Sequence, residues 1–104
     1  MRRAEIRWYR FRHPDKKRPV VVMTRDTALE FLDEVTVAPV TSRIRDIPTE
    51  VVLGVHDGMQ RDCAVNLDHV QTVPRSKLGG VIATLPDSRL EEIRRALLFA
   101  LGFD

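Results

Sequence analysis

Three cations stand together at Lys16-Lys17-Arg18, directly before the apolar run Pro19-Val20-Val21-Val22-Met23. Loop side chains rooted on a rigid strand can reach a ligand while the strand fixes their base. Cations at that place suit an anionic ligand, although charges also flank apolar strands merely to keep their ends soluble. A second polar cluster, Thr41-Ser42-Arg43, closes the run Val35 to Val40. Its hydroxyls can face a ligand or do no more than close a turn. Cys63 is the single cysteine, so no internal disulfide forms, and with no ligand cluster beside it no metal site is expected.

The elements that would carry these residues follow from the apolar pattern. From Ala4 to Phe11, Ile6 and Trp8 alternate with Arg7 and Tyr9, which predicts a strand with one exposed face. The β-branched run after Pro19 predicts a central strand buried on both faces. Asp26 or Thr27 is placed to cap a short helix through Leu29, Phe31 and Leu32. Further strands are expected at Val35 to Val40, Glu50 to Leu53, Cys63 to Leu67 and Val70 to Val73. Turn signals at Asp46 to Pro48 and Asp57-Gly58 separate them. Leu90, Ile93, Leu97 and Leu101 recur at helical spacing, Ser88 and Glu91 can form a capping box, and Gly102 marks the stop. The pattern predicts a small antiparallel β-barrel or sandwich with one C-terminal amphipathic helix packed on it.

At 104 residues with 43% hydrophobic side chains, the chain can fill one modest core and is expected to form one domain, 1–104. Its formal charge of +2 conceals an asymmetry: residues 1–25 carry a balance of +7 and residues 26–62 a balance of −5. A basic block at one end is an electrostatic footprint for an anionic partner such as nucleic acid, or a solvated face. No apolar run has the length of a membrane span, and the N-terminus lacks the apolar centre of a signal peptide. With one unpaired cysteine, a cytoplasmic protein with no membrane partner is expected.

Six tracts taken together resemble a known family. They are Glu5-Ile6, Arg18-Pro19-Val20-Val21-Val22, Ala38-Pro39-Val40-Thr41-Ser42, Pro48-Thr49-Glu50-Val51, Arg61-Asp62-Cys63-Ala64-Val65 and a final helix ending Leu101-Gly102. In order and spacing they are similar to the MazF/PemK toxins. The resemblance implies an SH3-like small β-barrel (MazF/CcdB-type) with added helices and a homodimer. It also implies a toxin of a type II toxin-antitoxin system, restrained by a cognate acidic antitoxin. The implied activity is a sequence-specific, metal-independent endoribonuclease acting on single-stranded RNA, with no cofactor. By motif, the family's characteristic catalytic Arg before Pro and Thr at the end of the third strand fall on Arg18 and Thr41. The chain departs from the family pattern in a short first loop, Arg12 to Lys17, in Ala4 where a glycine is customary, and in Cys63 where serine is frequent.

Under that resemblance the substrate's own 2'-hydroxyl is the nucleophile, giving a 2',3'-cyclic phosphate and a 5'-hydroxyl. Arg18 suits stabilisation of the phosphoryl oxygens, because a guanidinium is a permanent planar fork of donors. Thr41 would donate a hydroxyl to the same oxygens. His13, in the loop beside Arg18, is of the one side-chain type that ordinarily titrates near neutrality, and is a candidate acid or base. Lys16, Lys17, Ser42, Arg43 and Arg61 are expected to meet RNA, with His56 and Gln60 available to bases. His69 reads as structural. Trp8, Phe11, Phe31 and Phe99 read as core or dimer contacts, with Tyr9 the most exposed by alternation. The competing readings are a gyrase-binding toxin like CcdB and a non-catalytic RNA-binding module on the same fold.

Overall fold

Val20, Val21 and Val22 must be covered on both sides, because side chains alternate across a strand, and this requirement organises the sheet. The computed structural model describes residues 1–12 and 16–104. Its elements are β1 (Glu5–Arg10), β2 (Lys17–Val22), α1 (Asp26–Leu29), β3 (Glu34–Thr41), β4 (Glu50–Leu53), β5 (Cys63–Asn66), β6 (Gln71–Pro74), β7 (Val81–Thr84) and α2 (Asp87–Leu101). Single-turn 3-10 helices at Val55–Asp57, Leu67–His69 and Arg75–Lys77 occupy connections. Val21 faces Ile6, Ala38 and Val40 in a cluster closed by Ile93 and Ala96 of α2. Val20 and Val22 face the other way, into a second cluster with Leu29, Val35, Val37 and Val73.

All pairings are antiparallel, in the order β4-β5-β3-β2-β1-β7. The long strand β3 divides its outer edge between two partners. Its first half pairs with β6, Glu34 opposite Pro74 through Val37 opposite Gln71, and its end pairs with β5, Thr41 opposite Ala64. One strand serving two divergent neighbours curls the sheet into a half-barrel, with Ile93 and Ala96 of α2 packed into the first cluster on one of its faces. The mainly-β class with a C-terminal helix therefore holds.

The two helix starts differ from expectation. Asp26 does not cap α1; the cap position is Arg25, with no side-chain bond, and the Asp26 carboxylate instead accepts from the Arg3 amide at 2.7 Å. Helix α1 is a single turn, so Phe31 and Leu32 lie beyond it and are exposed. Helix α2 begins at Asp87 with Pro86 as its N-cap, two residues too early for a Ser88–Glu91 box, and Glu91 pairs with Arg94 instead. Gly102 ends the helix as expected, at a φ of 78° where only glycine is unstrained. Ile93 is buried and Leu90 and Leu97 half-buried, but Leu101 is exposed. Ala4 also sits at positive φ, 78°, which gives the customary glycine at this position its physical reason.

Candidate nucleic-acid interface

Strands β2 and β3 run antiparallel with Val20 opposite Pro39. Arg18 lies two residues before Val20, and Thr41 two after Pro39, so by the period-two rule both share one face at the same end of the sheet. Both are half-buried. They stand on a ridge between two hollows and line both. The larger, about 450 Å³, also holds Arg43, Arg45, Asn66 and His69. The smaller, about 370 Å³, also holds Trp8, Lys16, Lys17, Ser42, Gln60 and Arg61. The expected site residues Arg18, Thr41, Lys16, Lys17, Ser42, Gln60 and Arg61 thus converge, with Arg43 on the far side of the ridge. His56 is exposed on the 3-10 turn Val55–Asp57 and lines neither hollow. His13 lies outside the described residues.

The Thr41 hydroxyl does close a turn, accepting from the Arg43 amide at 3.1 Å. That bond uses an oxygen lone pair, so the hydroxyl proton can still be donated to a ligand. Arg45 is anchored to Glu50, whose carboxylate is fully buried and accepts from the Arg45 amide at 2.9 Å and its Nε at 3.2 Å.

Several residues that line the hollows escaped the sequence reading as site residues, among them Arg45, Asn66, His69 and Trp8. His69 is structurally held, yet it lines the hollow with Arg18 and Thr41. Buried Asn66 caps the turn Leu67–His69: its Oδ1 accepts from the Asp68 amide at 3.0 Å, and its Nδ2 faces His69 Nδ1 at 3.3 Å. An amide nitrogen only donates, so Nδ1 is the acceptor and the ring proton sits on Nε2, away from Asn66. Asp68 is tied in turn by the Thr49 hydroxyl at 2.6 Å. The Asn-Leu-Asp-His spacing, with an Asx cap three residues before the imidazole, is the signal that could have found this arrangement. Trp8 is 37% exposed and faces the smaller hollow. Tyr9, expected outside, is instead half-buried, edge-on to Phe11 with ring centroids 5.0 Å apart. Alternation failed here because the second cluster covers the face of β1 that carries Tyr9.

The loop bearing Gln60 and Arg61 is clasped to α2. Arg89 donates from Nε and Nη2 to the two Asp57 carboxylate oxygens at 2.9 and 3.0 Å, and from Nη1 to Glu92 at 2.8 Å. Asp57 also accepts from the Gly54 amide at 3.0 Å. The Arg89 hydrogen bonds hold the Asp57 carboxyl below the usual carboxylate range. At the turn end, Gly58 has a φ of 87°, and a Cβ there would meet Ala83 Cβ at 2.8 Å, so the loop closes only on glycine. Burial pushes the Cys63 thiol up, which keeps it a neutral packing group and no nucleophile.

Residues 2–101 match the family model described as PemK-like, MazF-like toxin of type II toxin-antitoxin system. The chain belongs to this family. Among curated relatives, Endoribonuclease MazF3 of Mycobacterium tuberculosis is 36% identical over 90 residues, covering 86% of this chain and 87% of that protein. Among solved structures, Mycobacterium tuberculosis toxin MazF-mt6 superposes with a TM-score of 0.88 at 33% identity, covering 96% of this chain and 98% of that one. A MazE-MazF structure from Deinococcus radiodurans reaches a TM-score of 0.83 at 26% identity over all of this chain and 97% of that one. The Arg18-Pro19 strand entry and Thr41, on which the resemblance to the MazF/PemK toxins was read, are therefore the residues of a family member that its fold brings onto one ridge.

Proposed function

We propose that this toxin is a sequence-specific endoribonuclease that cleaves single-stranded RNA by attack of the substrate's own 2'-hydroxyl, releasing 2',3'-cyclic phosphate and 5'-hydroxyl ends. The observation that carries the reading is the ridge: Arg18 and Thr41 stand side by side between two hollows lined by Lys16, Lys17 and Arg61 on one flank and Arg43 and Arg45 on the other. A strand laid across it has its backbone neutralised on both flanks and one phosphate at the crest. Charge develops on the non-bridging oxygens as the 2'-oxygen attacks, and donors already aimed at them stabilise the transition state. Arg18 supplies a planar fork, Thr41 a hydroxyl, and His69 an Nε2–H fixed by Asn66. None of these steps calls on a metal, so the reaction proceeds in chelator. The relatives named as endoribonucleases support the reading.

The partner is an acidic antitoxin segment that orders on the same cationic surface, supported by the solved MazE-MazF assemblies. Residues 1–104 act as one toxin domain, paired as a homodimer and working in the cytoplasm. The test is incubation of the purified protein with long single-stranded RNAs of varied sequence in excess EDTA. Discrete fragments are expected; intact RNA in all mixtures refutes the reading, and intact RNA together with trapped gyrase–DNA complexes replaces it with a gyrase-directed toxin.

A further inference from the structure

Trp8 is the chain's only tryptophan, and its position serves ligand contact better than packing. Its backbone is pinned on both edges of β1, opposite Pro19 on one side and, on the other, with its carbonyl accepting from the Gly79 amide at 2.7 Å. A Cβ at Gly79 would lie 3.2 Å from Trp8 Cβ. That glycine therefore lets the neighbouring segment press on the root of the indole while leaving the ring 37% exposed. The Lys17 ammonium lies over the ring, 5.2 Å from its centroid. The hollow that the indole lines also holds Lys16, Arg18 and Arg61, and among the described residues no carboxylate lines it.

An accessible aromatic face ringed by cations is how single-stranded nucleic acid is held: the base stacks and the backbone follows the positive charge. A cation over an exposed ring is a weak contact that a base can displace. We propose that Trp8 is the floor of a nucleobase subsite. On binding, the Lys17 ammonium moves from the indole face to the phosphate adjoining the stacked base, and the Gln60 amide meets the base edge. Stacking accepts any base and Gln60 hydrogen-bonds selectively, so position within the cleavage motif is set by the first and base identity by the second. The subsite rests on the RNA reading above and adds to it a place for one base beside the scissile phosphate.

The test uses the full chain with random-sequence 2'-O-methyl RNA dodecamers, which lack the nucleophilic hydroxyl, and an abasic 2'-O-methyl chain of equal length. Binding is followed by anisotropy of the labelled oligomer and, in parallel, by the emission of Trp8. Expected results are an emission change that saturates with the RNA anisotropy curve and no emission change with the abasic chain. Trp8→Leu should weaken RNA binding about 5- to 150-fold, the range of one lost base stack, while leaving abasic binding unchanged; Trp8→Phe should stay within a few-fold of wild type. RNA binding with unmoved emission overturns the subsite, as does equal loss of RNA and abasic binding in Trp8→Leu. The emission arm needs no variant, so a misfolded substitution does not spare the proposal. Absence of any anisotropy change overturns the RNA reading, and the subsite with it.

Discussion

Replacing Arg89 with methionine keeps the aliphatic stem and removes the guanidinium fork, which isolates the clasp between α2 and the loop that carries Gln60 and Arg61. Asp57 is 6% exposed and Arg89 30% in their side chains, so the pair lies between the two measured limits. Breaking a fully buried pair costs about 3–5 kcal/mol, and an exposed one contributes about 0–1 kcal/mol. Asp57 keeps its Gly54 amide bond after the change, and the arm to Glu92, itself 40% exposed, adds little. An intermediate loss of about 2 kcal/mol follows, equivalent to roughly 10 °C in Tm for a domain near 100 residues. Thermal unfolding by circular dichroism at fixed protein concentration measures it. The pH dependence has a definite sign. A carboxyl held low in the folded state stabilises fully above its unfolded pKa, and loses that contribution as pH falls through the folded value. The gap between wild type and Arg89→Met is therefore constant from pH 7 to about 5 and begins to narrow below about 4. In function, KM for RNA rises several-fold with kcat nearly unchanged, because the Arg18–Thr41 ridge is untouched. A Tm loss under about 3 °C, a gap that does not narrow at all as pH falls below about 4, or a fall in kcat at constant KM would refute the reasoning.

Arg18→Ala and Arg18→Lys are both expected to lower kcat by about 10²–10³; near-normal cleavage by the lysine variant in single-turnover assays would show that a point charge suffices and the planar fork does not matter. His69→Ala should lower kcat about 10- to 100-fold, the equivalent of one hydrogen bond to a charged group, with partial recovery in His69→Gln, which retains an N–H donor. Unchanged single-turnover rates in His69→Ala would remove it from the site. Neutralising Lys16 and Lys17 together should reduce the salt dependence of RNA binding by about 1.4 in log–log slope, at about 0.7 per phosphate on a single strand; an unaltered slope removes both from the phosphate footprint.

The strands that mount the ridge were legible because their patterns are local: alternation in β1, a β-branched run in β2, and a polar cluster closing β3. Strand β7 was not, since Val81-Ile82-Ala83-Thr84 is short, half-exposed and preceded by Gly79-Gly80, and becomes a strand through pairing with β1. Both helix caps failed for a related reason: Asp26 is claimed by an amide distant in sequence, and Pro86 starts α2 early. Arg18 and Thr41 were found from motif order, and their shared face follows from strand parity. Trp8 depends on a feature no local pattern encodes, and His69 on one that only the Asx cap three residues before it signals. One is the cover that the second cluster gives Tyr9, and the other is a buried asparagine that turns an imidazole toward a hollow.

If Arg18 and Thr41 stabilise phosphoryl charge during attack by the adjacent 2'-hydroxyl, cleavage depends on one oxygen atom of the substrate. The decisive measurement maps the cleavage position in a long RNA, then repeats the reaction in EDTA on that RNA carrying a single 2'-deoxynucleotide 5' of the scissile phosphate. Cleavage at that position should disappear while other sites are cut as before, and the ends from unmodified RNA should be 2',3'-cyclic phosphate and 5'-hydroxyl. Continued cleavage at the deoxy position, or fragments bearing 5'-phosphates, would contradict the mechanism.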